Sequence, residues 1–324
     1  LFVLKIDSLY EDFYTDEGDI IRTQTINRNV AAHRIIWDIT DNIIFNAMES
    51  VIYAVRGIDF HYLMPVIPFW SLQHYLGDTD NIQMAGEIIY SPSNRLKLYS
   101  TIFMDEWAPD KTFEKENRNW FAYQGGLAWA QLLNDSDQFR LEFTWTDSRI
   151  YRHRFEVNDC YSHDFPLGFW AGPHAEEFFF SYNIDLLDME WVMKLSDTKR
   201  GKFTSLENQY NNSFDDEPRY EGLVEEKLFI ELEVTKLLYQ FFFMTAGISY
   251  VDWKNAGFSP EDVISINLKN IVVVVDYNEE NNIRELIERL LKIISTSLLL
   301  SLVNQNCLYF KGIKESPTIL PLVS

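Results

Sequence analysis

The feature that most constrains this chain is a two-residue alternation of apolar and polar side chains that recurs through most of its length. In residues 139–146 the odd positions are Phe139, Leu141, Phe143 and Trp145, and the even ones Arg140, Glu142, Thr144 and Thr146. Successive side chains on a strand point to opposite faces, so the segment predicts a strand with one apolar and one polar face. Ile35, Trp37 and Ile39 alternate with Arg34 and Asp38. Leu96, Leu98, Ile102 and Met104 share a face on which Ser100 is the weak member. Phe178, Phe180, Tyr182 and Ile184 make a further face, and Leu228, Ile230, Leu232 and Val234 alternate with Glu231, Glu233 and Thr235. Turn-forming sequences separate the segments: S-P-S-N at 91–94, N-D-S-D at 134–137, D-T-K-R-G at 197–201 and D-D-E-P at 215–218. About eleven strand candidates result, several as long as the roughly 9–11 residues that a tilted membrane strand needs.

The pattern changes near residue 270. The run I-V-V-V-V at 271–275 suits a buried strand, and Ile283, Leu286, Ile287, Leu290 and Leu291 carry the one sustained helical periodicity. The expected organisation is therefore a strand-rich domain over residues 1–270 and a mixed or helical C-terminal segment over 271–324.

Composition narrows the class of partner. A net charge of −21 disfavours nucleic acid, because a duplex binder needs a cationic face to displace counterions. Apolar residues at 47% and charged residues at 24% exclude a disordered chain. Aromatics at 15% accompany strand-rich folds and also the interfacial girdles of membrane barrels. No segment reaches the roughly 20 apolar residues of a membrane-spanning helix, since the run at 290–303 is shorter and contains Lys292. The start, L-F-V-L-K-I-D-S, lacks an initiator Met, which suggests a fragment with N-terminal strands missing. Cys160 and Cys307 have no spacing that makes a metal site or a redox pair. Composition by itself favours a soluble β-sandwich with an aromatic core. The mixed Arg, Glu, Gln, Thr and Asn on the polar faces, and connections of uneven length, lean toward a barrel and leave the two evenly matched.

Two longer stretches add a resemblance. The first runs E-S-V-I-Y-A-V-R-G-I-D-F-H-Y-L-M-P over 49–65 and continues through Phe69 and Trp70 to H-Y-L-G-D-T-D-N at 74–81. The second runs Y-R-H-R-F-E-V-N-D-C-Y-S-H-D-F-P-L-G over 151–168 and ends in A-G-P-H-A-E-E-F-F-F at 171–180, with L-K-L-Y-S-T-I-F-M-D-E-W at 96–107 between them. In this order the segments resemble the capsule assembly Wzi family, best over residues 30–184. The resemblance implies an antiparallel up-and-down transmembrane β-barrel in the bacterial outer membrane, in contact with outer-membrane lipid. It further implies a non-enzymatic role in assembling or attaching capsular or extracellular polysaccharide. The chain departs from the family in its missing first strands, in offering too few strands to close a large barrel, and in a C-terminus, P-T-I-L-P-L-V-S, without a terminal aromatic.

Candidate polysaccharide-binding residues follow from aromatic faces that stack on sugar C–H groups and polar groups that meet hydroxyls. Asp59, His61, Tyr62, Trp70, His74, Tyr75 and Asp78 lie in a loop-like stretch expected to fold into or over the barrel mouth. Arg149, Tyr151, Arg152, His153 and Arg154 form the locally basic cluster that an acidic polysaccharide would seek. The competing roles are packing and turn capping for the first group, and a salt-bridge ladder with Glu142 and Glu156 for the second. Glu176 and Glu177, like Asp105 and Glu106, are adjacent on strands and point apart, so neither pair suits a glycosidase. His163 and His174 have no ligand spacing with nearby acids, and no phosphate loop or nucleophile elbow is present. The chain is thus read as no enzyme and as needing no metal or cofactor. A porin-like channel for small solutes is the alternative, and it requires an open lumen.

Overall fold

In a computed structural model, the chain forms one large antiparallel sheet. The structure describes residues 2–14, 20–64, 66–77, 79–107, 119–202, 219–220, 222–239, 242–276 and 310–311. Its strands are β1 (Phe2–Tyr14), β2 (Ile20–Thr40), β3 (Ile43–Ala54), β4 (Asn81–Ser93), β5 (Leu96–Glu106), β6 (Trp120–Ala130) and β7 (Gln138–Thr146). A two-residue ribbon, β8 (Tyr161–Ser162) with β9 (Phe165–Pro166), stands apart from the sheet. The sheet resumes with β10 (Ala175–Leu186), β11 (Met189–Gly201), β12 (Val224–Tyr239), β13 (Phe242–Lys254) and β14 (Val263–Asp276). Each of these pairs antiparallel with the next, and β15 (Phe310–Lys311) adds a short parallel pairing to the end of β14. One helix, α1 (Phe69–Leu76), lies between β3 and β4.

The connections sort by end. At one end the strands are joined by tight turns at 41–42, 94–95 and 187–188, where Leu187 and Asp188 both take positive φ, as a twisted two-residue hairpin turn requires. The long connections 55–80 and 147–174 both leave from the other end. Residues 197–201, expected as a turn, instead extend β11, with Asp197, Thr198, Lys199 and Arg200 paired to β10 on one side and β12 on the other. Tertiary pairing on both sides outweighs their turn propensity. Likewise β14 crosses residue 270, where a boundary was expected, and Val272–Val275 pair with β13 as its continuation. The expected helix around 283–291 lies outside the described residues.

The long loop 147–174 shows that the sheet is curled. The His163 amide donates to Asp7 on β1 at 3.0 Å, while Trp170 packs under Lys227 on β12. In a flat sheet, β1 and β12 would stand about 43 Å apart at the usual strand spacing. The seven residues from His163 to Trp170 span at most about 25 Å. The sheet therefore bends around the loop, which fills its concave side. Among the described residues no strand pairing joins β1 to β14.

The register gives the two faces opposite character. The face away from the loop holds Trp37, Leu98, Ile102, Leu141, Phe143 and Trp145, and much of it is bare, with Trp37 61% and Ile266 68% exposed. The concave face holds polar groups, and Glu142, Glu177 and Glu231 are buried there. Arg34 and Asn46 donate to Glu87, Arg140 and Tyr99 donate to Glu142, and Gln124 donates to Thr144. Lys194 pairs with Glu231 at 3.0 Å and Arg200 with Glu225 at 2.8 Å. Buried charge is costly unless paired and hydrogen-bonded, and cross-strand neighbours supply the partners here.

Candidate functional site

The two groups of residues singled out in the sequence fall on opposite faces of β2–β4. Val51 and Tyr53 point outward and Ile52 inward, since neighbours on a strand alternate. Val51 and Tyr53, with Ala31 and Ile82, form an apolar patch covered by Tyr62 and Phe69 and flanked by Leu72 and Leu76. Ile52 instead packs against Ile150, Tyr151 and Cys160 of loop 147–174. The stretch from Asp59 to α1 therefore packs on the outer face of the sheet, at the end from which the long connections leave, which corrects the expected fold into the lumen. The cause is the apolar Ala31–Val51–Tyr53 patch, whose cover buries Tyr62 and Phe69 at about 1.5–3 kcal/mol each.

Most of this outer segment is explained by its own structure. Asp59 caps the short turn Phe60–Leu63, accepting from the His61 amide, and also takes Arg56 at 3.0 Å. Burial raises the Asp59 pKa, but the His61 and Arg56 hydrogen bonds outweigh it and hold the carboxyl below the usual range. The Tyr62 hydroxyl donates to Asp80, and Asp80 in turn receives two donors from Arg56. Glu49, an acid on the outer face, accepts the first amide of α1 at 2.8 Å and the His33 ring at 2.9 Å. Trp70, His74 and Tyr75 stay exposed, with Trp70 against the His74 ring. Asp78 lies outside the described residues.

The basic cluster is part of the loop's internal bracing. Arg149 is buried, donates twice to Asp147 at 2.6 Å and lies over Trp120. Arg152 pairs with Asp159 at 2.7 Å and lies over Tyr161, so the partners are Asp147 and Asp159 where Glu142 and Glu156 were expected. Arg154 is exposed beside Phe155. His153 is buried, its Nδ1 accepts the Phe155 amide, and desolvation depresses its pKa to about 4. Tyr151 is buried, with Gly168 against its ring and its hydroxyl accepting the Phe169 amide at 2.9 Å. Burial pushes the Cys160 thiol up, and Cys307 lies outside the described residues. The inner and outer segments meet at the rim, where Asn158 donates to the Thr79 carbonyl and Asn81 to that of Asn158.

Beneath the loop lies a cavity of about 780 Å³ between Phe169 and Trp170 and the concave wall. Phe103, Phe179 and Phe229 bring aromatic surface to it, and Gln124, Glu177 and Lys227 bring polar groups. The Trp170 indole donates to both oxygens of Glu177 at 3.1 Å, and Ser196 and Thr198 also donate to Glu177. Glu176 points to the other face, so these adjacent acids do not converge. No group of three metal-ligating side chains occurs among the described residues.

Sequence reasoning missed this cavity, although a signal for it was present. Phe103, Phe179 and Phe229 are out of phase: each is an aromatic on the polar face of its strand, and all three line the cavity. Comparison with family models, curated proteins and solved structures finds no match to the chain.

Proposed function

We propose that this chain is a non-enzymatic outer-membrane β-barrel protein that helps to hold capsular or extracellular polysaccharide at the bacterial surface, as its resemblance to the Wzi family implies. The observation that carries the reading is the inverted polarity of the sheet. In water a bare apolar face beside a buried polar one is unstable, whereas in a bilayer the arrangement is the stable one. The tight turns at one end and long connections at the other follow the usual division between periplasmic turns and outer loops. Loop 147–174 fills the concave side, which disfavours an open porin-like channel.

The test has two parts. The membrane reading expects the protein in the outer-membrane fraction, with electrophoretic mobility that changes on boiling, as folded barrels show. A soluble, non-shifting protein would overturn it. The polysaccharide reading expects a deletion strain to release polymer into the medium while making the same total amount. Unchanged retention on the cells would refute that role.

A further inference from the structure

The cavity under loop 147–174 contains a cation that no acid pairs among the described residues. Along the concave wall Arg140, Lys194 and Arg200 are each paired with a glutamate, at 2.6, 3.0 and 2.8 Å. Lys227 lines the cavity and differs from them. Its ammonium sits 5.4 Å from the centre of the Trp170 ring and 4.7 Å from that of Trp253, with no carboxylate pairing it among the described residues. Glu177, two strands away and so about 10 Å off at strand spacing, is already occupied by Trp170, Ser196 and Thr198. The indole N–H of Trp253 is buried and lacks an acceptor among the described residues.

We infer that this cavity binds an acidic sugar residue, with Lys227 meeting its carboxylate and the Trp170, Phe179 and Phe229 side chains meeting its apolar C–H surface. The inference deepens the polysaccharide reading by naming a subsite and a substrate class, and it rests on that reading. Three observations converge on the same space. An indole pair stabilises the ammonium but leaves it able to donate to an anion. The volume falls within the range of small-molecule pockets, which combine apolar walls with a few placed polar groups. The aromatics that break the alternation cluster there: Phe103 also packs against Tyr151 of the loop and Phe179 lies under Arg140, and both, with Phe229, still line the cavity. The Trp170–Glu177 bond fixes the indole plane before any ligand arrives, which reduces the ordering cost of binding.

The experiment uses the full chain in detergent, with binding read by calorimetry and by intrinsic tryptophan fluorescence, to which Trp170 and Trp253 contribute. The probes are hyaluronan tetrasaccharide, which carries glucuronate, and maltotetraose, which is neutral. The glucuronate probe should bind, with maltotetraose weaker by roughly tenfold or more, the expected value of a charge-assisted contact. Lys227→Met should abolish that preference, whereas Lys194→Met, which removes a paired cation from the same wall, should preserve it. Boiling-sensitive mobility checks the fold of both variants. Absence of glucuronate binding, equal binding of the two probes, or a Lys227→Met variant that keeps the preference would each overturn the site. Failure of the parent reading is separately visible, as unchanged capsule retention in the deletion strain with glucuronate binding intact.

Discussion

Arg28 on β2 forms a 2.6 Å ion pair with Asp7 on β1, and the same guanidinium donates to the carbonyls of Val157, Asp159 and Tyr161 in the interior loop. One buried side chain thus ties the first hairpin to the segment that fills the sheet. Its five donors in a planar fork suit several carbonyls and a carboxylate at once, which lysine could not satisfy.

Replacing Arg28 with Met should release the loop while leaving the wall paired. Removing one partner of a buried pair typically costs about 3–5 kcal/mol, because the remaining polar groups are stranded. Limited proteolysis should cut the variant within 150–167 much faster than wild type, with boiling-sensitive mobility retained. Arg154→Gln, at an exposed position, should leave the cleavage rate unchanged. Equal protection in the Arg28 variant would show that the loop is held elsewhere.

The outer face can be tested at Phe143, which is 48% exposed. In lipid, Phe143→Arg should destabilise the folded protein by about 2–4 kcal/mol if the position lies near the bilayer midplane. On a water-exposed surface the same change should stay within about 0.5 kcal/mol. Urea titration of the protein refolded into vesicles measures the difference, and the small value would refute a lipid-facing wall.

His153 makes the interior loop acid-sensitive. Its folded pKa, about 4, lies below the unfolded value near 6.5, so between these values the unfolded state binds more protons and stability falls as pH is lowered. The loss is on the order of 3 kcal/mol at most once pH drops through the whole window. Asp159 opposes part of it: burial raises its pKa against the pull of Arg152, so the folded state keeps a proton to higher pH. Once corrected for the intrinsic pH dependence of amide exchange, the protection of the Tyr151 and Cys160 amides should fall from pH 7 to pH 5, and His153→Leu should flatten that dependence. A wild-type loop with pH-independent opening would count against a buried neutral imidazole.

Adjacent glycines on β6 should respond differently to alanine. A Cβ at Gly126 would meet the Tyr99 ring and hydroxyl at 2.6 Å and the Leu141 carbonyl at 2.8 Å, whereas one at Gly125 meets nothing within 4 Å. Gly126→Ala should destabilise by about 1–3 kcal/mol through overpacking, and Gly125→Ala should stay within about 0.5 kcal/mol. The temperature at which the folded band disappears on a gel gives the comparison. Equal behaviour would mean that Tyr99 can swing aside.

The sequence by itself determined the strands and their two faces. Alternation is a local property, and the sets Phe139–Leu141–Phe143–Trp145 and Arg140–Glu142–Thr144 separate on the strand whatever surrounds it. Local pattern could not say which face a connecting segment would cover, because Val51 and Ile52 are equally apolar. Tertiary packing sent Tyr62 and Phe69 to one and Tyr151 to the other. Nor could it assign partners. Arg149 and Arg152 read equally as an open basic cluster or as a ladder with Glu142 and Glu156, and the fold set them on Asp147 and Asp159 instead. Nothing in the local pattern distinguishes Lys227 from other charges on a polar face; the register pairs the neighbouring cations and leaves it between two indoles. Pairing depends on which groups the fold brings within a few ångströms, and for residues far apart in the chain only the curled sheet decides that distance.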